Sequence, residues 1–302
     1  MTNATDWTGR VGDVWAAEWR RTDRSFADLS RRLDAAILAA APEGPFRALD
    51  IGCGAGGTSL ALTAARPDAA IIGVDLSEQL VAVANERHSI ASRLCMREPR
   101  AAGDPQEGHA LTPARERGSH RADAIFLAGD VLDLAATHAP FDLLYSRHGV
   151  MFFDDPVVAF ATLRQAAAPG ASLVFSCFRA WTDNGFATAP AKALGLAPPG
   201  EGPGPFAFAD RDRVATILAT AGWRGAEAVP VDFAYRAGAG DDPLGDALDF
   251  LQRIGPAAAA LRQQPDGDRA GSVDRLRGAI ERYCTADAVD FPAAGWIWSA
   301  IA

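Results

Sequence analysis

Along residues 7–41 apolar side chains return every three or four positions: Trp15, Trp19, Phe26, Leu29, Leu33, Ile37 and Leu38, with arginine and aspartate between them. That spacing predicts helix with one apolar face. Pro42, Gly44 and Pro45 end it. The mostly apolar stretch 46–51 stops in glycines and reads as a buried strand. TSLALTAARP follows as a helix closed by Pro67. A second strand covers 70–74, and Ser77 caps a helix over 78–92. AIFLAGD (124–130) and FDLLYSR (141–147) read as strands three and four. A helix over 155–168 then leads through Gly170 to a fifth strand, 172–178. Strand and helix alternate throughout, which implies a parallel sheet covered on both faces.

Two regions depart from this rhythm. Residues 93–122 carry no apolar period and are rich in Arg, Gly and Pro, with six arginines and two of the five histidines. Connections in α/β folds are usually about 2–6 residues, so this reads as an insertion. Its composition suits an exposed loop, and equally a lid or a partner-binding arm. In the last third, 181–209 is rich in Gly, Pro and Phe. Beyond it lie a helix over 210–221, an alternating strand over 227–235, and two helices within 243–284 separated by a polar break at Gln263–Asp268. GWIWSAIA fits a final strand. The chain divides into an N-terminal helical cap (1–45), an α/β core (46–180) and a substrate-cap segment with the last two strands (181–302).

Composition narrows the classes. The 302 residues carry a formal charge of −9, and Lys192 is the only lysine. An acidic chain lacks the basic footprint that nucleic acids and anionic membranes select. No run reaches the roughly 18–20 apolar residues that span a bilayer. The start, MTNATDWTGRVGDVW, has no charged-then-apolar signal pattern, so a cytoplasmic location is expected. Cys53, Cys95, Cys177 and Cys284 form no CxxC pair, which argues against a disulfide framework and against a metal site. The sequence leaves the oligomeric state open, a homodimer included.

The densest chemical signal is Asp50-Ile51-Gly52-Cys53-Gly54-Ala55-Gly56-Gly57, between a strand and a helix. Glycines there permit a tight turn and close approach to a ligand, and the helix start favours a negatively charged group. Gly52, Gly54 and Gly57 also satisfy the dinucleotide fingerprint, with Asp75 at the expected distance. The glycines alone therefore leave an NAD(P)-dependent oxidoreductase open.

The surroundings separate the readings. Strands two and three both end in aspartate, Asp75 and Asp130, and strand four runs into Tyr145-Ser146-Arg147-His148. With DIGCGAGG (50–57), GVDLS (73–77), GDV (129–131), FDLLYSRHGVMFFDDP (141–156) and PGASLVF (169–175), the sequence resembles the class I S-adenosylmethionine-dependent methyltransferases, closest to the ubiquinone/menaquinone-type small-molecule enzymes. The resemblance covers 46–178 closely. It implies a Rossmann-like α/β sheet of seven mostly parallel strands, the last antiparallel, with helical caps over the site.

It also implies roles. Asp50, Gly52, Gly54 and Gly56 would shape the methionine end of the cofactor pocket. Asp75 would accept from the ribose hydroxyls with Leu76 against the adenine. Asp130 would accept from the adenine amine with Val131 on the ring, and Ser146 would add backbone contacts near the methionine amine. Ionised carboxylates accept from such donors. His148, where relatives would carry an apolar aromatic, is a candidate catalytic base. Arg147 is a candidate for orienting an acidic or phenolate acceptor. Asp154 and Asp155 read as caps of the next helix. Trp7, Trp15, Trp19, Phe186, Phe206 and Phe208 make the expected acceptor surroundings apolar. The implied activity is methyl transfer from S-adenosylmethionine to a small, partly hydrophobic or aromatic molecule. A non-catalytic S-adenosylmethionine-binding scaffold, with the insertion as its interaction arm, is a further alternative.

Overall fold

Seven strands form one sheet in the order β3-β2-β1-β4-β5-β7-β6. The computed structural model describes residues 7–95, 123–200 and 202–302. The strands are β1 (Phe46–Ile51), β2 (Ala69–Asp75), β3 (Asp123–Ala128), β4 (Phe141–Arg147), β5 (Ala167–Phe178), β6 (Arg224–Ala239) and β7 (Ala288–Ile301). The first five pair in parallel. β7 runs antiparallel between β5 and β6. β1 and β4 lie inside the sheet with helices on both faces, so nearly every position is buried and their apolar runs are almost unbroken. β3 is an edge strand and alternates buried with exposed, leaving Ile125 in solvent.

Among the described residues the expected N-terminal helix is broken into α1 (Arg10–Ala17), α2 (Trp19–Ser25) and α3 (Ala27–Ala40). The backbone leaves helical geometry at Glu18 (ψ 15°) and Phe26 (ψ 3°), so the apolar face bends around the sheet's carboxyl edge. Leu29, Leu33 and Ile37 are fully buried where α3 crosses β4, β5 and β6, whereas Leu38, expected on that face, is exposed. The core helices are α4 (Gly57–Ala65), α5 (Glu78–Cys95), α6 (Val131–His138) and α7 (Pro156–Ala166). Ser77 caps α5 through the Leu80 N–H at 3.2 Å. Residues 94–122, with nearly all of the expected insertion, lie outside the residues whose side chains are described.

The last third holds α8 (Gly185–Leu194), α9 (Arg211–Thr220), α10 (Pro243–Arg253), α11 (Pro256–Gln263) and α12 (Asp266–Glu281). Three helices stand where two were expected, because Gly255 at φ 84° breaks the chain before Pro256. The α8 helix was not expected at all, and it carries Pro190 inside. α10 braces the cap. Its Asp246 pairs with Arg21 at 2.8 Å and Arg24 at 2.7 Å, and its Arg253 with the buried Glu18 at 2.8 Å. Among the described residues no helix is long and apolar enough to cross a membrane.

Candidate functional site

The turn after β1 is left-handed at three glycines: Gly52 (φ 66°), Gly54 (φ 53°) and Gly56 (φ 77°). A side chain at such angles is strained. At Gly54 an added Cβ would meet nothing within 4 Å, so the space beside the turn is open. Gly52 instead abuts the Gly149 Cα, 3.0 Å from where a Cβ would sit. Gly56 is the cap residue of α4. Ser146, fully buried, donates from Oγ to the Ile51 carbonyl at 2.6 Å and accepts the Gly149 N–H at 3.1 Å. Gly56 and Ser146 thus shape and brace the turn, while Gly52 and Gly54 line the space it bounds.

Two carboxylates belong to this turn. Asp75 accepts the Gly54 N–H on one oxygen at 2.8 Å and the Ser77 N–H on the other at 2.9 Å. Burial pushes its carboxyl up, and those two N–H groups work against the shift. Each oxygen keeps acceptor capacity toward the cavity. Asp50 is almost fully enclosed, and burial raises its pKa to about 7 against the Ser59 hydrogen bond and the Arg147 charge. Ser59 Oγ donates to Asp50 at 2.6 Å, and its one proton being spent, it accepts from the Tyr145 hydroxyl at 2.8 Å. Asp130 lies exposed at the end of β3, where it caps α6 through the Leu132 N–H at 2.8 Å.

A cavity of about 370 Å³ joins these groups. One half is bounded by Asp50, the glycine turn, Asp75 with Leu76, and Asp130 with Val131. The other half is aromatic and lies beneath the N-terminal helices, between Trp7, Trp15, Phe26, Phe152 and Phe178. Gly12 lets α1 come this close: a Cβ there would sit 2.5 Å from Ser77 Oγ. Of the expected acceptor-side phenylalanines, Phe208 is in the sheet core beside Phe160 and Phe175, and Phe186 and Phe206 stand behind Phe178. None of the three lines the cavity; Pro205 does. The helices beyond 239 supply no lining residue either, and reach the site only by holding α2.

Arg147 and His148 both line the cavity, in different ways. The Arg147 guanidinium, expected to orient an acceptor, donates to Asp23 at 2.8 Å and to Ser30 Oγ at 3.1 Å. Asp23 also pairs with Arg87 at 2.9 Å, so one carboxylate on α2 bridges two guanidiniums beside the start of α4. Arg87 donates on to the Ala55 carbonyl and stacks 4.0 Å from the Trp19 ring centroid. His148 has φ 63°, the one non-glycine residue with positive φ among those described. Its ring is buried against Phe178 (4.2 Å) and Phe26 (5.0 Å), and Nδ1 meets Ser176 Oγ at 2.7 Å. Burial, aided by Arg147, lowers its pKa to about 3, so the imidazole is neutral. Asp155 caps α7 as expected, through the Val157 and Val158 N–H groups.

Thr22, Asp23 and Arg87 were not singled out from sequence. Within an amphipathic helix Thr22 and Asp23 look like polar-face residues, and only the bend at Glu18 turns them inward.

Comparison with known proteins fits this geometry. A methyltransferase-domain family model matches residues 20–227. A search of curated proteins finds no match to the sequence. Among solved structures, a Haemonchus contortus phosphoethanolamine N-methyltransferase 2 in complex with S-adenosyl-L-methionine aligns at TM-score 0.50 and 16% identity, over 100% of this chain and 60% of that one. A Bacillus halodurans C-125 protein named as a candidate methyltransferase aligns at TM-score 0.50 and 13% identity, over 89% and 97%. The antiparallel β7 also departs from the strand order 3-2-1-4-5-6 of dinucleotide-binding folds, which removes the structural ground for the oxidoreductase alternative. The chain belongs to the methyltransferase-domain family, and its sheet order is that of the class I S-adenosylmethionine-dependent methyltransferases.

Proposed function

We propose that this protein transfers a methyl group from S-adenosylmethionine to a small, partly hydrophobic or aromatic acceptor. The observation that carries the reading is the two-part cavity: carboxylates and a glycine turn at one end, aromatic rings at the other. The carboxylate end fits the donor. Asp75 has free acceptor capacity for a ribose diol, Asp130 for an adenine amine, and Leu76 and Val131 supply apolar faces for the ring. The open space at Gly54 fits the methionine end. When bound, the cofactor supplies a methyl group already activated by its sulfonium.

The protein's part is positioning and exclusion of water. Trp7, Trp15 and Phe152 close the aromatic end, and Phe26 with Phe178 forms its floor beside His148. We keep His148, which lines the cavity beside these rings, as the side chain that touches the acceptor. Because its imidazole is held neutral with a low pKa, it is suited to hydrogen bonding more than to strong base catalysis. We assign Arg147 to the cap: through Asp23 it ties α2 to the end of β4.

The test is incubation with methyl-labelled S-adenosylmethionine and a panel of small aromatic alcohols, amines and thiols. Label in a small-molecule product supports the reading. Binding of S-adenosylhomocysteine with no label in any product would instead favour the non-catalytic scaffold.

A further inference from the structure

Two residues that line the cavity each carry a buried polar atom with no hydrogen-bond partner among the described residues: Thr22 Oγ1 and His148 Nε2. Both residues are more than nine-tenths buried, at 8% exposure each, and both line the cavity. Leaving a buried donor or acceptor unmade carries the full cost of its desolvation, so folded proteins satisfy nearly all of them. Two on one wall are a site waiting for a ligand's polar group. They are neighbours in the architecture: Phe26, whose ring packs on His148, lies one helical turn after Thr22 and donates its N–H to the Thr22 carbonyl at 3.2 Å.

The backbone at His148 points the same way. A histidine at φ 63° is held in a conformation that L-residues avoid, and such strain persists where the surroundings enforce it. Here the His148 N–H is tied to the Ser176 carbonyl at 3.2 Å, and Ser176 Oγ takes Nδ1. Both contacts come from one residue of β5, and together they fix the ring so that Nε2 is the ring nitrogen left without a partner. The charged group beside the ring is Arg147, already engaged by Asp23 and Ser30. The other rings packed on it, Phe26 and Phe178, carry no titratable group.

We propose that Thr22 and His148 form a hydroxyl-reading pair, and that the acceptor is a small aromatic molecule whose ring hydroxyl binds between them. The inference rests on the methyl-transfer reading and names its substrate class. A hydroxyl both donates and accepts, so it pairs with a neutral imidazole nitrogen in either tautomer and with a threonine hydroxyl at once. The surrounding aromatic side chains suit a ring.

The experiment measures binding of 2-naphthol and of 2-methoxynaphthalene, with and without S-adenosylhomocysteine, to the wild-type protein and to Thr22→Val and His148→Asn. Valine keeps the threonine shape, and the lost hydroxyl has no partner to forfeit, so Thr22→Val folds with undiminished stability. Asparagine tolerates positive φ but is too short to reach as the imidazole does. The expected result is that wild type prefers 2-naphthol at least tenfold. Each variant loses most of that preference, and S-adenosylhomocysteine affinity is unchanged in both. Equal binding of the two probes to wild type, or full preference retained in Thr22→Val, overturns the proposal. Failure of wild type to bind S-adenosylhomocysteine sinks the methyl-transfer reading alone, because the naphthol preference is also measured without it.

Discussion

Asp75 is tied by both oxygens to backbone N–H groups of the turn and the following helix, and its proposed task toward the cavity is to accept from a diol. Replacing it with alanine removes charge-assisted hydrogen bonds of about 1.5–3 kcal/mol. The expected outcome is at least a tenfold loss of S-adenosylhomocysteine affinity by calorimetry; unchanged affinity contradicts the role. Asp50 gives a different prediction. Burial raises its pKa from 3.8 to about 7, and Asp34 is raised to about 6 chiefly by the same cause. The native state then holds protons that the unfolded chain has already released, so this contribution is complete below about pH 4 and is lost as pH rises through 7. Each pH unit in that window costs up to about 1.4 kcal/mol per group. The melting temperature of the ligand-free protein is expected to fall from pH 5 to pH 8, and less steeply in Asp50→Asn. Equal slopes would show that Asp50 does not titrate in that range. At this scale the carboxylate half of the cavity was legible in the sequence, because a carboxylate at a strand's end has its position set by the strand. Thr22 and Asp23 were not, since helix periodicity assigns faces but not what a bent helix turns toward.

Among the elements, α1 depends on Gly12. Alanine is a better helix former than glycine by about 1 kcal/mol, yet a Cβ here would lie 2.3 Å from the Trp7 carbonyl oxygen and 2.5 Å from Ser77 Oγ. Contact wins over propensity: Gly12→Ala is expected to lower the melting temperature and weaken S-adenosylhomocysteine binding by shifting α1 off the cavity. Gly278 in α12 is the matched control, exposed and with nothing within 4 Å of an added Cβ. There alanine is expected to stabilise by up to about 1 kcal/mol. Equal shifts at both sites would mean that α1 does not pack as described. The strands were the easier elements to read, because burial on both faces of β1, β2 and β4 imposes an apolar run, which glycine ends in β1 and aspartate in β2. The helix α8 was hidden by Pro190 and by the glycine- and proline-rich sequence that follows it. The bends at Glu18 and Phe26 were hidden too, since the apolar period runs through them; buried Glu18 holds its place through Arg21, three residues on, and through Arg253, a contact that local sequence does not encode.

At the scale of the whole molecule, a parallel sheet places the ends of β1, β2, β3 and β4 along one edge, and bound ligands in open α/β sheets sit beyond that edge. The N-terminal helices close it from above, held by α10 through Asp246 and by the Asp23 bridge to Arg87 and Arg147. The glycine pattern alone was shared between a nucleotide-binding oxidoreductase and a methyltransferase; what separates them is assembled at long range, in the antiparallel β7 and in the aspartates that the sheet order aligns. The central claim is that this edge binds S-adenosylmethionine. Its most direct test is calorimetric titration of the purified protein with S-adenosylhomocysteine, with NADH and NADPH run in parallel. The account predicts one site with a dissociation constant on the order of micromolar and no heat from either nicotinamide. Saturable binding of a nicotinamide with none of S-adenosylhomocysteine would contradict it.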